Sequence, residues 1–108
     1  MAETYTYYYP NDKPEIRSGP LVGRGRAWVR GSYAPPVYPS PLEIRVGEAG
    51  IKVWMVIEWL QLADDDEAKV LEGYGNVIQP DDIAAARWVY QRYASEIDRR
   101  IAQELEPV

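Results

Sequence analysis

Between Ile51 and Ala102 apolar residues recur at helical spacing in three segments, short, short and long, and this periodic block constrains the fold more than any other feature of the chain. The first segment, from about Lys52 to Ala63, places Val53, Val56, Ile57 and Leu60 on one stripe with Trp54 and Trp59 at its flanks. Asp64, with Glu67 three residues on, forms an acidic capping box for the second segment, and Asp65 and Asp66 favour the positive end of its dipole. That segment is expected to bury Ala68 and Leu71 and to end at Gly73, with Tyr74 folding back. Pro80 suits the first position of the third helix, and Asp81 and Asp82 suit its first turn. Ile83, Ala86, Tyr90, Tyr93, Ile97 and Ile101 then recur along one face, while Glu96, Arg100 and Glu104 are spaced to pair on the exposed side.

The N-terminal half reads as extended chain. Thr4 to Tyr9 is a β-prone run stopped by Pro10, Asn11 and Asp12, an arm that needs an edge-strand pairing or a docking surface to be ordered. Ile16 to Tyr33 suggests a hairpin, with Leu21 and Val22 opposite Ala27 to Arg30 and the turn at Gly23-Arg24-Gly25-Arg26. Pro35, Pro36, Pro39 and Pro41 enforce an extended connector, and Leu42, Ile44 and Val46 alternate as a half-buried strand ending at Gly47. The expected fold is therefore α+β but mostly α. Short N-terminal strands or a hairpin (residues 1–50) precede a homeodomain-like, helix-turn-helix three-helix unit with a long last helix (51–108). The arm and the far end of the third helix offer more apolar surface than one small core covers, so a homo-oligomer is expected.

Composition removes most chemistry. With no His and no Cys, the chain cannot build a Ser-His-Asp or Cys-His site, a disulfide or an ordinary zinc site. No convergent acid–base set is visible either, so neither an enzyme nor a cofactor or metal is expected. The Asp64–Glu67 run lacks the alternating ligand spacing of a calcium loop, and its capping role accounts for it. No apolar run is long enough to span a bilayer and no basic-then-apolar leader is present, which leaves a cytoplasmic protein without membrane association as the default. The net charge of −5 is unevenly spread. Residues 13–45 hold six basic and two acidic side chains, and residues 51–108 hold six basic and twelve acidic.

The segments Ile51-Lys-Val-Trp54-Met-Val-Ile57, Val70-Leu71-Glu-Gly-Tyr74, Pro80-Asp-Asp-Ile83 with Ala85-Ala86 and Tyr90, and Glu96-Ile-Asp98-Arg-Arg-Ile101 resemble the family called domain of unknown function 433. The resemblance covers roughly residues 50–104. It implies a homeodomain-like trihelical fold preceded by short strands, and the antitoxin side of a small bacterial toxin–antitoxin module, with a ribonuclease-like toxin as partner. Where such proteins carry a Gly-Thr-Arg-Ile segment this chain has Glu48-Ala49-Gly50-Ile51, and Arg87 stands where a leucine is common.

Two functional classes follow. One is a non-catalytic, antitoxin-like interaction protein that binds a toxin-like nuclease and its own operator DNA; the other is a stand-alone DNA-binding regulator. Asp81 and Asp82 at the start of the would-be recognition helix repel a duplex, so Arg24, Arg26 and Arg30 are the better candidates if nucleic acid is bound, although a flexible, solvated polar turn is the simpler account of that strip. For a protein partner the candidate contact is the cluster Arg87, Trp88, Gln91 and Arg92 on the third helix.

Overall fold

The structure, a computed structural model, describes residues 3–9, 13–34 and 38–105. Its centre is a five-stranded sheet. β1 (Thr4–Tyr9), β2 (Glu15–Ser18), β3 (Ala27–Arg30), β4 (Arg45–Val46) and β5 (Ile51–Lys52) run in the order β2-β1-β3-β4-β5, every pair antiparallel. The tyrosine run is thus an interior strand and not an arm. It pairs Thr4–Tyr7 with Glu15–Ser18 on one side and Tyr5–Tyr9 with Ala27–Arg30 on the other. The two-residue alternation of a strand sends Tyr5 and Tyr7 to one face and Thr6 and Tyr8 to the other, and all four are buried. A register shift between Tyr7 and Tyr9 lets Tyr8 and Tyr9 both join the helix-side core.

The expected hairpin between Leu21–Val22 and Ala27–Arg30 does not form, because β1 occupies the slot beside β3. Residues 19–26 instead cross the outer face of the sheet. There Leu21 packs on Tyr5, Tyr7 and Trp28, and the Val22 N–H donates to the Tyr7 hydroxyl at 3.1 Å. Thr6, fully buried on the inner face, donates to the Gly31 carbonyl at 2.7 Å and accepts from the Tyr33 N–H at 3.1 Å, so the hydroxyl is satisfied. The expected strand from Leu42 is shortened to Arg45–Val46, because Pro41–Glu43 form a 3-10 turn capped by the Ser40 hydroxyl. Of the proline connector and the strand stop, Pro10, Asn11, Asp12, Pro35 and Pro36 lie outside the described residues.

Three helices follow: α1 (Val53–Leu62), α2 (Glu67–Gly73) and α3 (Pro80–Leu105). The expected stripe of α1 is buried in full, as are Ile83, Ala86, Ile97 and Ile101 of α3. The expectation of a mostly α, homeodomain-like trihelical unit is overturned. α1 and α3 close their apolar faces on each other and on the inner face of the sheet, where Tyr8, Ala27, Val29 and Val46 meet them in one core. α2 is a minor element that buries Val70, whereas Ala68 is exposed and Leu71 half-buried.

The acidic run divides its labour differently from the expected capping box. Asp64 and Asp65 adopt left-handed backbone, with φ of 53° and 62°. They close α1 through Asp64 N–H to the Gln61 carbonyl (3.3 Å) and Asp65 N–H to the Leu60 carbonyl (2.7 Å), the paired bonds of a Schellman ending. The cap of α2 is therefore Asp66, whose carboxylate accepts from the Lys69 N–H at 3.3 Å.

α3 is kinked, with Tyr93 at φ −128°, ψ 34°. The Tyr90 hydroxyl reaches across the kink to Asp98 at 2.7 Å, and Arg100 lies over the Trp54 ring at 4.2 Å while pairing with Glu104 at 2.6 Å. The far half of α3 is thus packed within the chain, and so is the tyrosine strand.

Ile83→Ala is expected to destabilise the fold by about 2–5 kcal/mol through the cavity it leaves, and Ala68→Ser by less than about 0.5 kcal/mol, as read by chemical denaturation. Burial also pushes the Tyr8 and Tyr74 hydroxyls up to about 12 from the ordinary 10.0, and neither has a hydrogen-bond partner among the described residues. Folding favours their neutral form, so their contribution is complete below pH 10 and drains away as the pH rises from there towards 12. An alkaline titration followed by tyrosinate absorbance and circular dichroism should show these two ionising late, together with loss of structure.

Candidate functional site

The arginine-bearing turn is held in place by one buried carboxylate. Asp82, in the first turn of α3 and 1% exposed, accepts from the Gly25 N–H through Oδ1 at 2.5 Å and from the Gln79 N–H through Oδ2 at 2.8 Å. The glycines around it are there for room as well as for backbone. Gly25 sits at φ +69° and Gly47 at φ +75°; a Cβ on Gly25 would come within 2.8 Å of the Asp81 carboxylate, and one on Gly47 within 2.9 Å of that of Asp82. Gly47 in turn accepts from the Trp28 indole N–H at 2.9 Å. This chain of contacts ties the start of α3 to the outer layer of the sheet.

The three candidate nucleic-acid arginines are consequently not one strip. Arg24 leans towards α3, with Nε 4.0 Å from Asp81. Arg26 lies over the Tyr7 ring at 5.5 Å, and Arg30, at the opposite end of β3, is 3.8 Å from Glu3. Arg26 and Arg30 share the outer face of the sheet with Trp28 by strand alternation, and Arg24 is apart from them. Asp81 and Asp82, expected to repel a duplex, are engaged internally by Arg24 and by the turn.

The candidate partner cluster on α3 separates into two pairs. Arg87 bridges to α2 and the turn before it, reaching Asp65 at 3.4 Å and Glu67 at 3.3 Å, with Gln91 exposed beside it. Trp88 packs on Tyr9, ring centres 5.7 Å apart, and carries the Arg92 guanidinium over its face at 4.0 Å. Arg87 thus fastens α2 to α3, and Trp88 with Arg92 covers the end of β1.

A more accessible surface lies on α1. Met55, Trp59 and Leu62, at positions i, i+4 and i+7, form an exposed apolar row on the side opposite the core. Leu62 is 69% and Trp59 40% exposed. Trp59, Leu62, Ala63, Asp64 and Lys69 line a shallow cavity of about 310 Å³ between α1 and α2. The Trp59 ring leans on Tyr74 at 5.2 Å and fills the space that a Cβ on Gly73 would need. Residues 58–72, which hold most of the row, carry six carboxylates (Glu58, Asp64, Asp65, Asp66, Glu67, Glu72) against Lys69; Asp64 lines the cavity, Asp66 caps α2, and Asp65 and Glu67 are paired with Arg87. Trp59 was expected only as a flank of the buried stripe, and Met55 and Leu62 were not singled out. The available signal was that α1 has only Glu58 and Gln61 as polar residues, so one core-facing stripe could not account for its apolar content. Among the described residues, carboxylates do not gather into a group of three or more that could hold a metal ion.

Asp82→Ala is expected to cost about 2–4 kcal/mol, because two buried N–H groups lose a charged acceptor. Asp81→Ala, which removes only an exposed ion pair, should cost less than about 1 kcal/mol; paired thermal or urea melts compare the two. Comparison of the chain with families of known proteins, with curated proteins and with solved structures finds no match.

Proposed function

We propose that this chain is a non-catalytic interaction protein of the antitoxin kind, which binds a basic, nuclease-like protein through the outer face of α1. The observation that carries the reading is the exposed row Met55, Trp59 and Leu62 with its acidic border. Apolar side chains clustered beside a small concavity are what interface hot spots are made of. The net negative charge of residues 58–72 favours a partner that presents apolar residues flanked by lysine or arginine, as an enzyme that handles nucleic acid can. The short motifs of residues 50–104 that resemble antitoxin-like proteins point the same way, although the trihelical fold they implied is not the one observed and comparison with protein families finds no match. The first turn of α3 is committed to Arg24 and to the Gly25 turn, which weighs against α3 as a helix that reads a DNA groove.

The test pairs this chain with the protein encoded by the adjacent reading frame and measures complex formation and inhibition of RNA cleavage. Leu62→Asp, at a site too exposed to affect folding much, should weaken the complex by about tenfold or more. Added salt should slow association, as expected for charge-steered encounter. Loss of binding that follows Gln91→Ala or Arg92→Ala and spares Leu62→Asp would move the contact to α3, and substrate turnover by the purified chain alone would overturn the reading.

A further inference from the structure

The outer face of the sheet, opposite the helices, has a composition unlike the rest of this acidic molecule. The register places Arg17 beside Tyr5, Arg45 opposite Trp28 and Lys52 beyond Arg45, with Arg30 two residues on from Trp28 in β3 and Arg26, just before the strand, over the Tyr7 ring. Five cations therefore share a face with Tyr5, Tyr7 and Trp28. The acids in register with them are Glu15, which pairs with Arg17 at 2.6 Å, and Glu3, which approaches Arg30 at 3.8 Å and accepts from the Tyr5 hydroxyl. Over β3 and β4 this face sinks into a cleft of about 540 Å³, bounded by Tyr5, Trp28, Arg30, Arg45, Glu43 and Glu48. That volume is within the range of small-ligand sites.

The walls of the cleft are built rather than incidental. Tyr5 and Trp28 meet edge to face, ring centres 5.5 Å apart at 88°, and the indole N–H is anchored on the Gly47 carbonyl at 2.9 Å. Each ring is 5% exposed, so what reaches the cleft is a rigid aromatic edge. Arg45 donates through Nη1 to the Gly50 carbonyl at 2.7 Å, which fixes its guanidinium and leaves the other N–H groups for an acceptor. Arg30 lies diagonally across from Arg45, a relation that separates Cβ atoms by about 7–8 Å, and its side chain is 70% exposed. Two guanidiniums at that spacing suit a phosphate group. Glu43 and Glu48 offer acceptors for sugar hydroxyls or an exocyclic amine, and the Tyr5–Trp28 edge, with Leu21, Tyr33 and Pro39 beside it, offers apolar contact to a flat base.

We propose that this cleft binds a nucleoside phosphate, with the phosphate on Arg30 and Arg45, the base against Tyr5 and Trp28, and the sugar towards Glu43 and Glu48. The ligand is either a free nucleotide or one residue of a single strand. The site is separate from the α1 face and does not depend on the partner reading.

Calorimetric titration of the full chain with adenosine 5′-monophosphate, adenosine, ribose 5-phosphate, inorganic phosphate and a short oligoadenylate tests it. The monophosphate or the oligonucleotide should bind with a Kd of about 0.1–1 mM or tighter, and adenosine, ribose 5-phosphate and inorganic phosphate should each bind at least about tenfold more weakly. Arg30→Gln should lower the affinity by about tenfold, and Arg99→Gln, an exposed change on α3, should leave it unchanged. Amide resonances of Arg30 and Gly50 should shift on addition of the ligand. An oligonucleotide about tenfold tighter than the monophosphate assigns the source to a strand, and comparable affinities assign it to the free nucleotide. The proposal is overturned if neither binds below about 5 mM, if binding survives Arg30→Gln, or if inorganic phosphate or ribose 5-phosphate binds as tightly as the monophosphate.

Discussion

One carboxylate couples the two halves of this protein. Asp82 lies in the first turn of α3, where the helix dipole already favours a negative charge, and its two oxygens take an N–H from the residue before the helix and another from a loop 57 positions upstream. Buried charges are tolerated when they are hydrogen-bonded, and here the acceptors are used on backbone groups that would otherwise be unpaired. Everything nearby is shaped around that arrangement. Gly25 and Gly47 leave space for the acidic pair, Gly47 supplies the acceptor for Trp28, and Trp28 anchors the aromatic layer outside the sheet.

The parts of the fold that depend on local chemistry were legible in the sequence. Pro80 opens α3 where expected, and the stripe Val53, Val56, Ile57 and Leu60 is the buried face of α1, because helix periodicity and proline placement act over a few residues. The cap of α2 was off by two positions for a reason of the same kind. Each of Asp64, Asp65 and Asp66 is an acceptable cap, and the choice falls to Asp66 once the ending of α1 has used the first two in left-handed conformation. Strand pairing was not legible. Six β-prone residues at Thr4–Tyr9 announce a strand but not its neighbours, and the outcome, an interior position between β2 and β3, is decided by contacts with residues far away in the chain.

The candidate surfaces show the same division. Arg24, Arg26 and Arg30 look like one strip in sequence, yet a turn and a strand send them to different places, and the cleft on the outer face is assembled from β1, β3, β4, the 3-10 turn and three loops. Trp88 and Arg87 stand out by type, but their chemistry is used inside the fold. The α1 row is the reverse case. It was written in the sequence as an excess of apolar residues on a short helix, and only the positions of the sheet and α3 reveal which of them remain uncovered.

The interior position of β1 also has a consequence for the order in which the molecule can assemble. β1 precedes both of its sheet partners in the chain, and the carboxylate that secures the loop over its outer face belongs to residue 82. Tyr5, Tyr7 and Tyr8 therefore remain without their full set of neighbours until most of the chain has been made. Long-range pairings of this sort slow folding and prolong exposure of apolar surface, so the demand on chaperones should be set by the tyrosine strand and relieved by the docking of α3.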